Sequence, residues 1–386
     1  MKNFFILLFL SIVLYLFSAI SKIYYETKNY KKTFISDLSS LNNVLNKNYV
    51  GTIADSYHYI KNAYSVYKNL KPIDCFRPQA GYLFAPFMFI FKNYFPISVI
   101  IFNSVVFGIL LAILFYVINP KHLFFNIILL ILTFSFTFYY IPRIMLEPIN
   151  AIFILISLLF FHFKKYNFSL IFLFLSSLIR PEFLIILIIF LIALRKWTLG
   201  SILSITSLTL IINLSRCEEQ SNFFFWSIKG YYENIRNLDW QSAKIELSKR
   251  CQIVNNNCYK EVLIEEFKNN SGVIVLYAVK NFITNPIKLL FFPIDKYKKF
   301  LLIIYIFLSL VYSSILIYSF FKTKEKLIFI SIVILLIVYD FCFILNPVDS
   351  SRFKLFVLPF EIYIILKTLS DNQFQLYNYF PFSRQK

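Results

Sequence analysis

Two carboxylates and four arginines draw attention because of where they fall. Asp55 lies in GTIADSYHYI and Glu147 in YYIPRIMLEPIN; Arg77, Arg143, Arg180 and Arg352 lie in CFRPQAGYL, YIPRIML, SSLIRPEFL and VDSSRFKLF. Each sits in a polar turn beside a long apolar run. A positioned carboxylate accepts a proton or orients a hydroxyl. A guanidinium grips a phosphate or carboxylate through a planar fork of donors. Four turns that each present one arginine point to a shared anionic ligand.

Each residue also has a structural reading. Thr52-x-x-Asp55 fits the capping-box pattern, in which the acid only satisfies a helix N-terminus. Glu147 opens a helix with Pro148 in the first turn, where the dipole favours a carboxylate. An acid entering an apolar span beside Arg143 is nevertheless costly unless it is paired or faces an aqueous cavity. At Arg180, followed by Pro181 and Glu182, an anion would meet both a guanidinium and free backbone N–H groups. The turn around Arg352 adds Asp349 and Lys354.

The elements that must position these groups are apolar helices. The chain is 59% hydrophobic and 15% charged, with a mean hydropathy of +0.67, which is the composition of a multi-spanning membrane protein. Segments long enough to cross the hydrocarbon fall at about 3–20, 97–118, 123–141, 148–163, 199–214, 299–320 and 327–345, with shorter ones at about 168–179, 182–194 and 353–368. The expected fold is therefore an all-α polytopic bundle of about ten transmembrane helices, nine to eleven. Residues 1–20 form the first span, read as a retained signal anchor. Residues 21–95 form a first outer loop with interfacial helices, and 96–214 hold spans two to seven. Residues 215–298 form a small helical outer lobe, 299–370 hold spans eight to ten, and 371–386 form a cytoplasmic tail.

Lysine and arginine collect in the turns at Lys121, Lys164/Lys165, Arg195/Lys196 and Lys322/Lys324/Lys326, which places those turns inside and the chemistry-bearing turns outside. The net charge of +19 is dispersed over membrane-flanking turns, so lipid headgroups are its counterpart and nucleic acid is not. There is no Gly-rich loop, nucleotide-binding fingerprint or internal repeat. Neither a nucleotide nor a redox cofactor is expected. Asp340 is read as the one acid well inside a span. Cys75, Cys217, Cys251 and Cys258 fall outside, and Cys251 with Cys258 is the first choice for a disulfide.

A helix starting near Thr52 would place Ile53, Tyr57, Ile60, Tyr64 and Tyr67 on one apolar-aromatic stripe lying on the membrane surface. Asp55, Tyr59 and Asn62 would share another face, turned toward a cavity above the spans.

The order of these motifs resembles the GT-C superfamily of integral membrane glycosyltransferases, in particular its protein O-mannosyltransferase and lipid A aminoarabinose transferase-like branch. The resemblance rests on D-S-Y-x-Y-x-x-x-A-Y from Asp55 to Tyr64, R-P at Arg77, L-E-P at Leu146–Pro148, R-P at Arg180 and D-S-x-R-F at Asp349. It implies a transferase that takes a sugar from a polyprenyl-phosphate-linked donor to a hydroxyl or amine of a lipid, glycan or protein acceptor, outside the cytoplasm. It also implies Asp55 as the catalytic base, Glu147 as a second site residue, and Arg180, Arg352, Arg77 and Arg143 as donor-phosphate ligands. Tyr59 and Asn62 would position acceptor or sugar. Where relatives carry a second acid beside the loop aspartate, this chain has Ser56. A divalent metal between Asp55 and Glu147 would have an incomplete shell. A flippase, a transporter or a polymerase of lipid-linked saccharides is the alternative.

Overall fold

The computed structural model describes residues 1–386 except 34, 36–37, 39–48, 52–55, 74–77, 139, 215–222, 252–255, 292–298, 343–344, 346–349 and 380–386. The described residues are overwhelmingly helical, with one isolated bridge between Thr33 and Tyr49. The helices are α1 (Lys2–Asn29), α2 (Ser56–Asn69), α3 (Gln79–Phe91), α4 (Phe95–Ile118), α5 (Leu123–Thr137), α6 (Leu146–His162), α7 (Tyr166–Ile179) and α8 (Phe183–Ala193). They continue with α9 (Trp197–Leu214), α10 (Phe223–Gly230), α11 (Trp240–Arg250), α12 (Asn256–Phe291), α13 (Lys299–Lys322), α14 (Lys326–Cys342) and α15 (Ser350–Tyr379). Each apolar segment picked out above contains a helix. The third is shorter than expected, ending at Thr137 before the turn that carries Arg143.

Among the described residues two helical stretches are long and apolar enough to cross a membrane, Lys2–Asn29 and the run Gln79–Ile118; several shorter apolar helices accompany them. Helix α1 is amphipathic in reverse. Its covered face holds Ser11, Tyr15, Ser18, Lys22 and Glu26, whereas Phe9 and Phe17 are 72% and 58% exposed. Water would select the opposite arrangement. The polar face packs on α4, where Ser11 donates to the Gly108 carbonyl at 2.7 Å. A Cβ at Gly108 would lie 3.0 Å from the Tyr15 ring, so glycine permits this approach. Tyr15 meets Thr137 of α5 at 2.7 Å.

The main core joins α1, α4–α8 and α13–α15. A second core gathers α2, α3, the start of α4 and the 144–146 turn. The short connections at Lys164 and Arg195 turn in left-handed conformation (φ 58° and 53°), immediately beyond the C-terminal ends of α6 and α8, where a cation is favoured by the helix dipole.

Deep in the bundle, Lys354 of α15 donates to both carboxylate oxygens of Glu361 at 2.6 Å. Tyr312 of α13 donates to the same carboxylate at 2.7 Å. All three are buried. Asp340 is therefore not the one acid inside a span: Glu361 escaped notice in the weakly apolar segment 353–368. The side chain of Asp340 lies outside the described residues.

Helices α10–α12 form a small lobe around Ile228, Tyr232, Leu247 and Tyr259, to which Leu345 adds from beyond α14. Cys251 and Cys258 are disulfide-bonded, with Cα atoms 5.9 Å apart, as their spacing suggested. Asp239 caps α11 by accepting from the backbone N–H groups of Gln241 and Ser242 at 2.9 Å. Around Glu266, Arg250 donates at 2.5 Å and Asn270, at the kink of α12, at 3.0 Å, and Tyr231 donates as well. Burial opposes charge on Glu266, but the hydrogen bonds from Tyr231, Arg250 and Asn270 outweigh it and hold its carboxyl below the ordinary range. Burial, together with the Glu266 carboxylate, pushes Tyr231 up to about 12.

Two expectations follow from these networks. Lys354→Met alone strands the Glu361 carboxylate and should cost about 3–5 kcal/mol, whereas Lys354→Met with Glu361→Leu should recover most of it; unfolding midpoints in detergent report the difference. For Glu266, the folded carboxyl holds its proton less tightly than the unfolded one. Its stabilisation is present above the unfolded value of about 4.3 and is lost as the pH falls through the lower folded value. In acid titrations followed by lobe unfolding, Glu266→Gln should flatten that part of the profile.

Candidate functional site

Glu147 stands in the first turn of α6 after the uncapped Met145, and it is fully buried. The sequence set Arg143 beside it, but the cation that meets its carboxylate is Arg180, at the C-terminal end of α7. Burial leaves both charges without bulk water, so the pair is retained only if each supplies what the other lost. The guanidinium carbon of Arg180 lies 5.0 Å from the centre of the Phe356 ring of α15. That ring stacks on Tyr339 at 5.6 Å. The anion expected at Arg180 is thus present, and it is a side chain of the protein.

Arg143 turns elsewhere. Its guanidinium lies 4.6 Å over the Tyr140 ring, and its carbonyl accepts from Asn103 at 2.8 Å. The second bond ties the 140–145 turn to α4. Arg143 lines a small pocket together with Lys22, Glu26, Gly51, Ser56 and Met145. Ser56 is the residue after Asp55, so this pocket joins the first loop to the turn that precedes Glu147.

The loop is brought there by a buried carboxylate. Glu26 of α1 pairs with Lys22 at 2.6 Å and with Lys32 at 3.5 Å, and it accepts the Gly51 N–H at 2.7 Å. Val50 N–H adds a bond to the Thr33 carbonyl at 3.0 Å. Gly51 has φ +87°, and a Cβ there would stand 2.6 Å from Ile144 Cδ1. Both its conformation and its closeness to the 140–145 turn call for glycine.

Tyr59 and Asn62 do share a face of α2, as one-turn spacing requires. Among the described residues, that face is packed against α3. Both are fully buried, Tyr59 lies 6.3 Å from the Phe84 ring of α3, and a Cβ on Gly81 would meet the Asn62 carbonyl at 2.9 Å. The aromatic stripe is also partly consumed by α3: Ile60 and Tyr64 are buried, and Tyr67 contacts Phe89 at 4.8 Å between ring centres. The reason is common to both: α3 is itself an apolar helix and takes the partner role assigned to the membrane surface.

Asp55 and Arg77 lie outside the described residues, as do Thr52, Ile53, Cys75 and Asp349. Arg352 falls in α15, with its side chain outside the described set. Among the described residues no three His, Cys, Asp or Glu side chains converge as metal ligands. Lys22 and Glu26 were not foreseen as part of a site. Their signal was the polar series Ser11, Tyr15, Ser18, Lys22, Glu26 at helical spacing within an apolar anchor.

No family model, no curated relative and no solved structure matches the chain.

The arrangement combines the buried Glu147–Arg180 pair with a pocket whose lining includes Lys22, Arg143 and Glu26. The two cationic side chains on that lining suit an anionic group. Gly51→Ala should loosen the loop by about 1–2 kcal/mol, the cost of a left-handed alanine. In a background carrying Ser56→Cys, Gly51→Ala should convert a protected thiol into one that reacts with maleimide, measured by labelling rate.

Proposed function

We propose that this chain is a polytopic membrane glycosyltransferase that moves a sugar from a polyprenyl-phosphate-linked donor to an acceptor hydroxyl or amine outside the cytoplasm. The observation that carries the reading is the convergence of Lys22, Arg143 and Ser56 on one pocket, next in sequence to Asp55 and one turn before Glu147. Scattered polar turns would have no reason to meet if each only marked an end of a span.

In this reading about ten helices cross the bilayer, with α1 as a retained anchor. The reversed amphipathicity of α1 supports burial in lipid, and its bonds to Gly108, Thr137 and Phe138 support its place in the mature bundle. The donor's polyprenyl tail occupies a groove between helices. Arg180 and Arg352 hold the phosphate, with Arg143, Arg77 and Lys22 behind them, and stabilise the charge that grows on it as it departs. Asp55 takes the proton of the acceptor while its oxygen or nitrogen bonds to the anomeric carbon. The bond from that carbon to the phosphate oxygen breaks in the same step, and the phosphate leaves with the electron pair. The result is inversion. Glu147 orients the reacting groups.

One observation favours the alternative, a transporter or flippase of lipid-linked saccharides: the Lys354–Glu361 pair places charge deep in the bundle, as a transport path would. The two charges neutralise each other, however, whereas Lys22 and Arg143 line a pocket.

The test is transfer from a radiolabelled polyprenyl-phosphate sugar by purified protein. Asp55→Asn is expected to lower the transfer rate on the order of 10²–10⁴-fold with the fold intact. Undiminished transfer would remove Asp55 as the base. Vectorial movement of the lipid-linked sugar without any transfer would establish the alternative.

A further inference from the structure

The interface between α6 and α7 is a ladder of polar rungs. Ser157 meets both the Ser169 carbonyl and hydroxyl at 2.9 Å. The helices run antiparallel, so about two turns back along α6 and two turns forward along α7 bring Asn150 opposite Ser176. One turn more on each helix reaches Glu147 and Arg180. Asn150 and Ser176 are fully buried. Yet neither amide atom of Asn150, nor the Ser176 hydroxyl, has a hydrogen-bond partner among the described residues. Buried polar groups are paired as a rule, and each exception needs a cause. Asn150 follows Glu147 by three residues, a spacing at which helix side chains meet, and helix side chains lean back toward the N-terminus, here toward Glu147.

We propose that Asn150 and Ser176 are the receiving position for the Glu147 carboxylate when an anionic ligand takes Arg180. This inference rests on the reading above, in which Arg180 binds a phosphate. Glu147 already meets the Nη2 nitrogen of Arg180, so a phosphate that takes the guanidinium fork bidentately through that nitrogen must displace it. A displaced carboxylate left in the bundle without donors would oppose binding. The Asn150 amide and the Ser176 hydroxyl offer donors one turn away, so Glu147 exchanges one set of partners for another. They are positioning residues that act through Glu147. The exchange admits ligands that bring an anion to Arg180 and rejects a neutral polyprenol.

The experiment is equilibrium binding of radiolabelled polyprenyl phosphate to the full chain in nanodiscs, for the parent, Glu147→Gln, Asn150→Leu and the double variant. Glu147→Gln removes the competing charge and should tighten binding about tenfold. Asn150→Leu should weaken binding about tenfold in the parent and leave the Glu147→Gln background unchanged; Ser176→Ala should follow it with a smaller loss. Leucine keeps the branched shape of asparagine without its unpartnered atoms, so an unfolding midpoint at or above that of the parent separates lost binding from lost fold. An equal effect of Asn150→Leu in both backgrounds, or weaker binding by Glu147→Gln, overturns this inference and leaves the phosphate reading standing. Absence of binding by both the parent and Glu147→Gln overturns the two together.

Discussion

The organisation of this bundle depends on the cost of an unpaired charge where water cannot reach. Glu147 and Arg180 are separated by 33 positions, and neither belongs to a helix that is polar by composition. Once both are buried, each is tolerable only because the other is there. That requirement fixes the start of α6 against the end of α7, and the Ser157–Ser169 contact then continues the same register about three turns down. Phe356 completes the arrangement from α15 by lying against the guanidinium. Three helices are thus positioned by one charge pair.

The same constraint recurs in two other places and with the same solution. Lys22 pairs with Glu26 one turn along α1, and Lys354 reaches Glu361 along α15. The pairs differ in what else they hold. Glu361 is closed off by Tyr312 and serves to join α13 to α15. Glu26 keeps an oxygen for the Gly51 N–H, so its charge organises a loop as well as a helix. The loop anchor, the Arg143 turn and the start of α6 meet at the second core, around Tyr49, Val50, Ile144 and Leu146.

Helix positions were legible because an apolar run of sufficient length has few alternatives, and the turns between runs carry their own signals, such as Asn119-Pro120 and Arg180-Pro181. The Cys251–Cys258 bridge was legible from a seven-residue separation. Partners across helices were not. Arg143 was the natural partner for Glu147 by distance along the chain, but a residue four positions earlier, in a turn outside the helix, need not share its face; Arg180 becomes adjacent only when α6 and α7 pack. Tyr59 and Asn62 were placed correctly on one face of α2, but nothing in local periodicity shows that α3 packs on that face. Glu361 was hidden by its setting: the charges of segment 353–368 dilute its apolar signal, and their mutual cancellation is a tertiary property.

The distribution of charge separates the two functional readings more sharply than the number of helices does. A transport path requires polar groups that a substrate can meet along the depth of the bundle. Here the deep pair, Lys354 and Glu361, is buried and satisfied within a closed triad, so it presents little to a passing ligand. At the Arg143 end the setting is different: Lys22, Glu26 and Arg143 line one pocket, Lys32 reaches Glu26 beside it, and Gly51 brings the first loop onto them. Cationic side chains at the edge of an apolar bundle stabilise an anion where one end of the ligand is wet and the other is in hydrocarbon. A lipid-linked phosphate has that division, and chemistry at its headgroup needs a site at that edge and no path through the bundle.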